Sequence, residues 1–109
     1  MELKLVHVVI DRPIGYVDKF GNIYPINYGY IPTIMGGDHE EQDAYILDVD
    51  YPIEEYYGKV IAIVYRNDDV ETKWIVSNTY FSKKQIWDKI YFMEKHFDSY
   101  IKLIKKVED

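Results

Sequence analysis

The chain has 109 residues, room for one domain built on a single modest core. It is 48% hydrophobic and 29% charged, which excludes disorder of the low-hydrophobicity kind, and its lack of cysteine excludes a disulfide framework, a thiolate metal site and a cysteine nucleophile. A net charge of −6 argues against a nucleic-acid module, which shows a basic face, but it does not exclude a phosphate-handling protein, whose carboxylates can hold divalent cations.

The first residues, Met1 to Leu5, carry no basic stretch followed by an apolar one, so no secretory signal is expected. No apolar run approaches the ~18 residues needed to span a bilayer. The expectation is a soluble, cytoplasmic protein with neither a membrane nor a nucleic-acid partner.

In chain order, Leu3 to Ile10 reads as a strand rich in β-branched residues, closed by Asp11-Arg12-Pro13. Asp18 to Asn22 carries the chemistry of a hairpin turn. Tyr24 to Pro32, punctuated by Pro25, Gly29 and Pro32, reads as extended and irregular. Gly36 to Gln42 is a polar loop, and Ala44 to Leu47 a buried strand. Asp48 and Asp50 alternate with Leu47 and Val49, as on the wet face of a strand. Asp48 to Tyr57 is acidic and turn-rich. Lys59 to Tyr65 is a strong strand, and Lys73 to Val76 pairs with it as a hairpin.

The period then changes. Ser82 and Gln85 form a capping box, and Ile86, Ile90, Met93 and Phe97 recur at helical spacing, with Ile101 and Ile104 continuing the stripe. Several short strands followed by one amphipathic helix predict a mainly β, α+β fold: a small Greek-key-like barrel with a C-terminal helix packed on it. Residues 1–109 form one domain.

The most informative carboxylates are Asp38, Glu40 and Asp43, between a glycine pair and a buried strand. Gly36-Gly37 would let the chain fold back so that Asp38 and Asp43 converge on one ion. Oxygen-only ligation selects hard cations such as Mg²⁺ or Mn²⁺. Asp68, Asp69 and Glu71, followed by Lys73, make a second set that could line the same end of the barrel. Two such sets form a multi-metal site able to bind phosphate and acidify a bound water. Taken alone, acidic loops of this kind are more often simply solvated. His7, His39 and His96 are isolated, and there is neither a Walker loop nor a nucleophile elbow.

Tyr24-Pro25-Ile26-Asn27-Tyr28-Gly29-Tyr30-Ile31-Pro32 resembles the Y-P-x-N-Y-G-[YF]-I-P segment of the family I soluble inorganic pyrophosphatases. That family's D-G-D-P-x-D motif is similar to Asp38 to Asp43, with carboxylates at the same three spacings. The resemblance implies an OB-like five-stranded barrel that binds Mg²⁺ at one end and hydrolyses pyrophosphate. Asp38 and Asp43 would hold the ions, and Glu40 would replace an Asp that assists as general base. Asp68 or Asp69, with Glu71, would add metal ligands; Arg12, Tyr28 and Lys73 would bind phosphate. The departures are a missing N-terminal segment and Phe97-Asp98, which stand where the family has a phosphate-binding Tyr and Lys. Lys95 or Lys102 could compensate. Other readings are a hydrolase of another phosphoanhydride and a non-catalytic module of the same fold that binds a metal–phosphate ligand or a protein partner. The family commonly forms homo-oligomers, and the aromatic content would allow it here.

Overall fold

Successive side chains of an extended chain point to opposite faces, so a strand buried on both sides must be apolar at every position. Ala44 to Leu47 meets that condition, and its two faces organise the protein. A computed structural model describes residues 4–104. Six strands and one helix follow in order: β1 (Leu5–Arg12), β2 (Asn27–Met35), β3 (Glu41–Ile46), β4 (Glu55–Arg66), β5 (Thr72–Ser77), α1 (Lys83–Glu94) and β6 (Ser99–Leu103). Leu3, assigned to the first strand from sequence, lies outside the described residues.

The sheet runs β1-β2-β3-β5-β4, and β1 returns to pair with β4, closing a five-stranded barrel. Every barrel pairing is antiparallel except β3 with β5. This is the expected OB-like barrel with a C-terminal helix. Ala44 and Ile46 pack inside it with Val8, Ile31, Val60 and Val76. Tyr45 and Leu47 face the other way, with Val64 and Ile75, and meet Ile86 and Ile90 of α1. Burying each isoleucine fully contributes ~1.5–3 kcal/mol. The helix starts as its capping box requires: Ser82 Oγ accepts the Gln85 N–H at 3.2 Å, and Gln85 Oε1 accepts the Ser82 N–H at 2.9 Å.

Several local readings need correction. Tyr24 to Pro32 is not irregular throughout, because Asn27 to Met35 form the strand β2. Pro32, which cannot donate to a ladder, falls where the β2–β3 register slips between Ile31 and Met35. Gly29 lets β1 and β2 approach closely, since a Cβ there would stand 1.9 Å from the Val9 carbonyl oxygen. The polar loop after Gly36 is shorter than expected. β3 begins at Glu41, which places Asp43 within the ladder rather than at its mouth. Asp48 is not on a strand; its carboxylate accepts the Tyr56 hydroxyl at 2.7 Å and the Asn78 N–H at 3.1 Å.

The largest correction concerns the C-terminal stripe. Helix α1 ends at Glu94, and Ile101 belongs to β6 instead of a further helical turn. β4 is long enough that β1 covers only Glu55 to Lys59 of one edge, and β6 covers Ala62 to Arg66 of it. That half-edge carries backbone donors and acceptors which a strand satisfies and a helix does not. Ile104 follows β6, its N–H bonded to the Ile61 carbonyl at 2.9 Å. Among the described residues no helix is long and apolar enough to cross a membrane.

Candidate active site

The parallel register of β3 and β5 sets Asp43 beside Lys73. Glu71 lies two residues before Lys73 and so shares its face. Lys73 is 6% exposed. Its ammonium donates to Asp43 Oδ2 and Glu71 Oε1, each at 2.6 Å, and to the Tyr28 hydroxyl at 2.8 Å. All three of its N–H bonds are thereby used.

A second ionic group adjoins the first. Arg66, the last residue of β4, donates from Nη2 to Glu94 Oε2 at 2.8 Å and from Nε to Glu94 Oε1 at 3.2 Å. Glu94 ends α1 with no solvent exposure, and the Tyr45 and Ser99 hydroxyls also donate to it, at 2.6 and 2.7 Å. Asp11, Arg12, Tyr24, Met93 and Phe97 complete a pocket of about 310 Å³ around both groups. Arg12 donates to the Tyr24 hydroxyl at 2.6 Å, and its guanidinium lies 5.5 to 5.7 Å from the ring centres of Tyr16, Tyr24 and Tyr28. The pocket lies on the barrel's outer face, at the end of α1, not inside the barrel.

Burial works against every charge here, and pairing decides the outcome. Burial would raise the Asp43 carboxyl, but hydrogen bonding with Glu71, the Lys73 charge and Tyr28 hold it below its ordinary value. Burial raises Glu71, and the neighbouring Asp43 adds to the shift. Burial opposes the Lys73 charge, but Tyr28, Asp43 and Glu71 outweigh it and hold the ammonium protonated well above its ordinary range. Burial would likewise raise Glu94, yet Arg66, Tyr45 and Ser99 keep it low. Asp11 is raised, chiefly by burial.

Of the residues read from sequence, Arg12, Tyr28, Asp43, Glu71 and Lys73 meet in this pocket. Asp38, Glu40, Asp68 and Asp69 stand on exposed turns instead. Asp38 Oδ1 accepts the Glu40 N–H and Asp69 Oδ1 accepts the Glu71 N–H, both at 3.1 Å, so these two carboxylates serve their own turns. The turns do adjoin, since a Cβ on Gly37 would stand 2.5 Å from the Val70 carbonyl oxygen. Among the described residues no three His, Asp or Glu side chains converge as a single ion would require, and Asp38, expected to converge with Asp43, does not line the pocket with it. What remains is a pair of hard oxygen donors, Asp43 and Glu71, bridged by Lys73. Mg²⁺ is commonly held by one or two carboxylates together with waters and substrate phosphates, and this pair fits that mode.

Sequence reasoning missed Arg66, Glu94, Tyr45 and Asp11. Glu94 did leave a trace: it follows Ile86 and Ile90 at steps of four, on the buried face of the helix. An acid on an apolar stripe requires a buried cation.

No protein-family model and no curated protein sequence matches the chain. The closed barrel with its helix is nevertheless matched among solved structures. The chain has the fold of the family I inorganic pyrophosphatases. The enzyme from Ehrlichia chaffeensis superposes with a TM-score of 0.72 at 16% identity, over 93% of this chain and 86% of that one. The inorganic pyrophosphatase from Thermus thermophilus gives 0.63 at 18% identity, over 93% and 80%. That from Helicobacter pylori gives 0.62 at 17% identity, over 95% and 86%.

Proposed function

We propose that this chain is a cytoplasmic inorganic diphosphatase, hydrolysing pyrophosphate to two phosphates with Mg²⁺, or Mn²⁺ in its place. The observation that carries the reading is the Asp43–Lys73–Glu71–Tyr28 cluster in a pocket that also holds Arg12 and Arg66. Asp43 and Glu71 would hold the metal, which when bound supplies a water of lowered pKa and screens the substrate's charge. Arg12 would meet the phosphoryl oxygens, and the Lys73 charge, its three N–H bonds held by Tyr28, Asp43 and Glu71, would steady at short range the charge that builds on them. The Tyr28 hydroxyl, kept protonated by burial, is a neutral donor to the same oxygens. Asp43 stays ionised and is the carboxylate placed to accept a proton from the attacking water, whereas Glu40 lies on an exposed turn.

The test is phosphate release from pyrophosphate by EDTA-treated protein, with and without millimolar Mg²⁺, beside an Asp43→Asn variant. Mg²⁺-dependent turnover that Asp43→Asn abolishes is the expected result. A folded protein without turnover in Mg²⁺ or Mn²⁺ would overturn the reading. It would favour the second one, a module that binds a metal–phosphate ligand or a protein partner without cleaving it. The observation on that side is that Lys73 is already saturated by protein groups.

A further inference from the structure

We infer that Arg66 is a phosphoryl-binding residue of this pocket, presented by Glu94 behind it and Phe97 against its face. The inference rests on the phosphoanhydride reading of the site. A guanidinium carries five N–H bonds in one plane. The bidentate pair with Glu94 takes one from Nε and one from Nη2. Nη1 is left with only Glu71 Oε2, at 3.6 Å, which is too long for a hydrogen bond. Among the described residues no buried side-chain nitrogen lacks a hydrogen-bond partner, so Nη1 is not sealed in protein. The residue lines the pocket, and that is where its free edge opens.

Two features fix the direction of that edge. Glu94 cannot swing away, because Tyr45 and Ser99 donate to the same two oxygens that hold Arg66. The Phe97 ring centre lies 3.7 Å from the guanidinium carbon and covers one face of the plane. The chain beyond is also fastened, as the Asn67 N–H donates to the Asp98 carbonyl at 2.9 Å. What remains is the in-plane edge, whose fork matches two oxygens of a phosphoryl group. A cation serving only to neutralise Glu94 would not need an unsatisfied edge beside Arg12 and Lys73. Lys95 and Lys102, the cations that sequence alone offered near this end, do not line the pocket.

The test is calorimetric titration with imidodiphosphate, which is not hydrolysed through its P–N–P bridge, and with inorganic phosphate, beside melting temperature and the steady-state assay. Arg66→Lys keeps the charge and loses the fork. It should weaken binding of both anions by about tenfold or more, and raise KM more than it lowers kcat. Phe97→Leu, in the turn that follows α1, should weaken binding several-fold, and Phe97→Tyr should restore it. If Arg66→Lys folds poorly, the Phe97 pair decides. A purely structural Arg66 would lower the melting temperature and leave anion affinity unchanged, and that result overturns the inference. So does a wild-type protein that binds neither anion. Wild-type binding that Arg66→Lys removes, without turnover of pyrophosphate by either protein, leaves Arg66 a binding residue while the hydrolase reading fails.

Discussion

Two groups of carboxylates lie close together in this protein and behave differently. Asp38, Glu40, Asp68 and Asp69 stand on exposed turns, and two of them accept backbone N–H groups of their own loop. Asp43, Glu71 and Glu94 come from strands, a strand margin and a helix end, and each faces a buried cation. In sequence the first group looks the stronger site, being denser in acid and richer in glycine. The structure places the buried ion pairs in the second. A turn can satisfy a carboxylate with its own backbone and water. A regular element fixes where the side chain points and leaves a partner on another element to neutralise it.

The sharpest way to break this comparison is to remove a buried acid. Glu94→Ala leaves Arg66 buried without its partner and should cost about 3–5 kcal/mol in urea denaturation. A loss below 1 kcal/mol would mean that Arg66 relaxes into solvent and that the helix end is not held by this pair. Lys73→Met leaves Asp43 and Glu71 facing each other without their ammonium. Both carboxylates retain some solvent contact, so the expected loss is smaller, roughly 1–3 kcal/mol, together with loss of phosphate release.

Acid should separate the groups next. Glu94 titrates below its ordinary value of 4.5 in the folded chain. Its contribution is therefore complete above the unfolded pKa and is lost as pH falls through the folded one. Asp43 has the same sign, and Glu71, which is raised, the opposite: its contribution is lost as pH rises through its folded pKa. Stability measured against pH should fall on the acid side for wild type and fall less steeply for Glu94→Gln. Identical curves would show that Glu94 is not ionised in the folded state. The smallest effect is expected from Asp38→Asn, which should leave the denaturation midpoint unchanged; a clear shift would give the turn a structural partner that the pocket comparison denies it.

Much of the barrel was legible because its signals are local. The β-branched runs, the turn at Asp18 to Asn22 and the capping box at Ser82 each follow from residues within one element. Arg12, Tyr28, Asp43, Glu71 and Lys73 were named through a resemblance of ordered motifs, and they do share a pocket. Arg66 and Glu94 were not named, because each carries its meaning only through the other, and 28 positions separate them.

Sequence alone, then, determined a mainly β fold, the two-sided burial of Ala44 to Leu47 and the start of the helix, since propensity, period and capping act over a few residues. Tertiary structure decided where the helix stops, because the uncovered half-edge of β4 claims Ser99 to Leu103 as a strand. It also decided which acids serve the pocket. Burial and pairing depend on what the rest of the chain brings alongside, and Asp43 meets Lys73 only because β3 and β5 lie in parallel register.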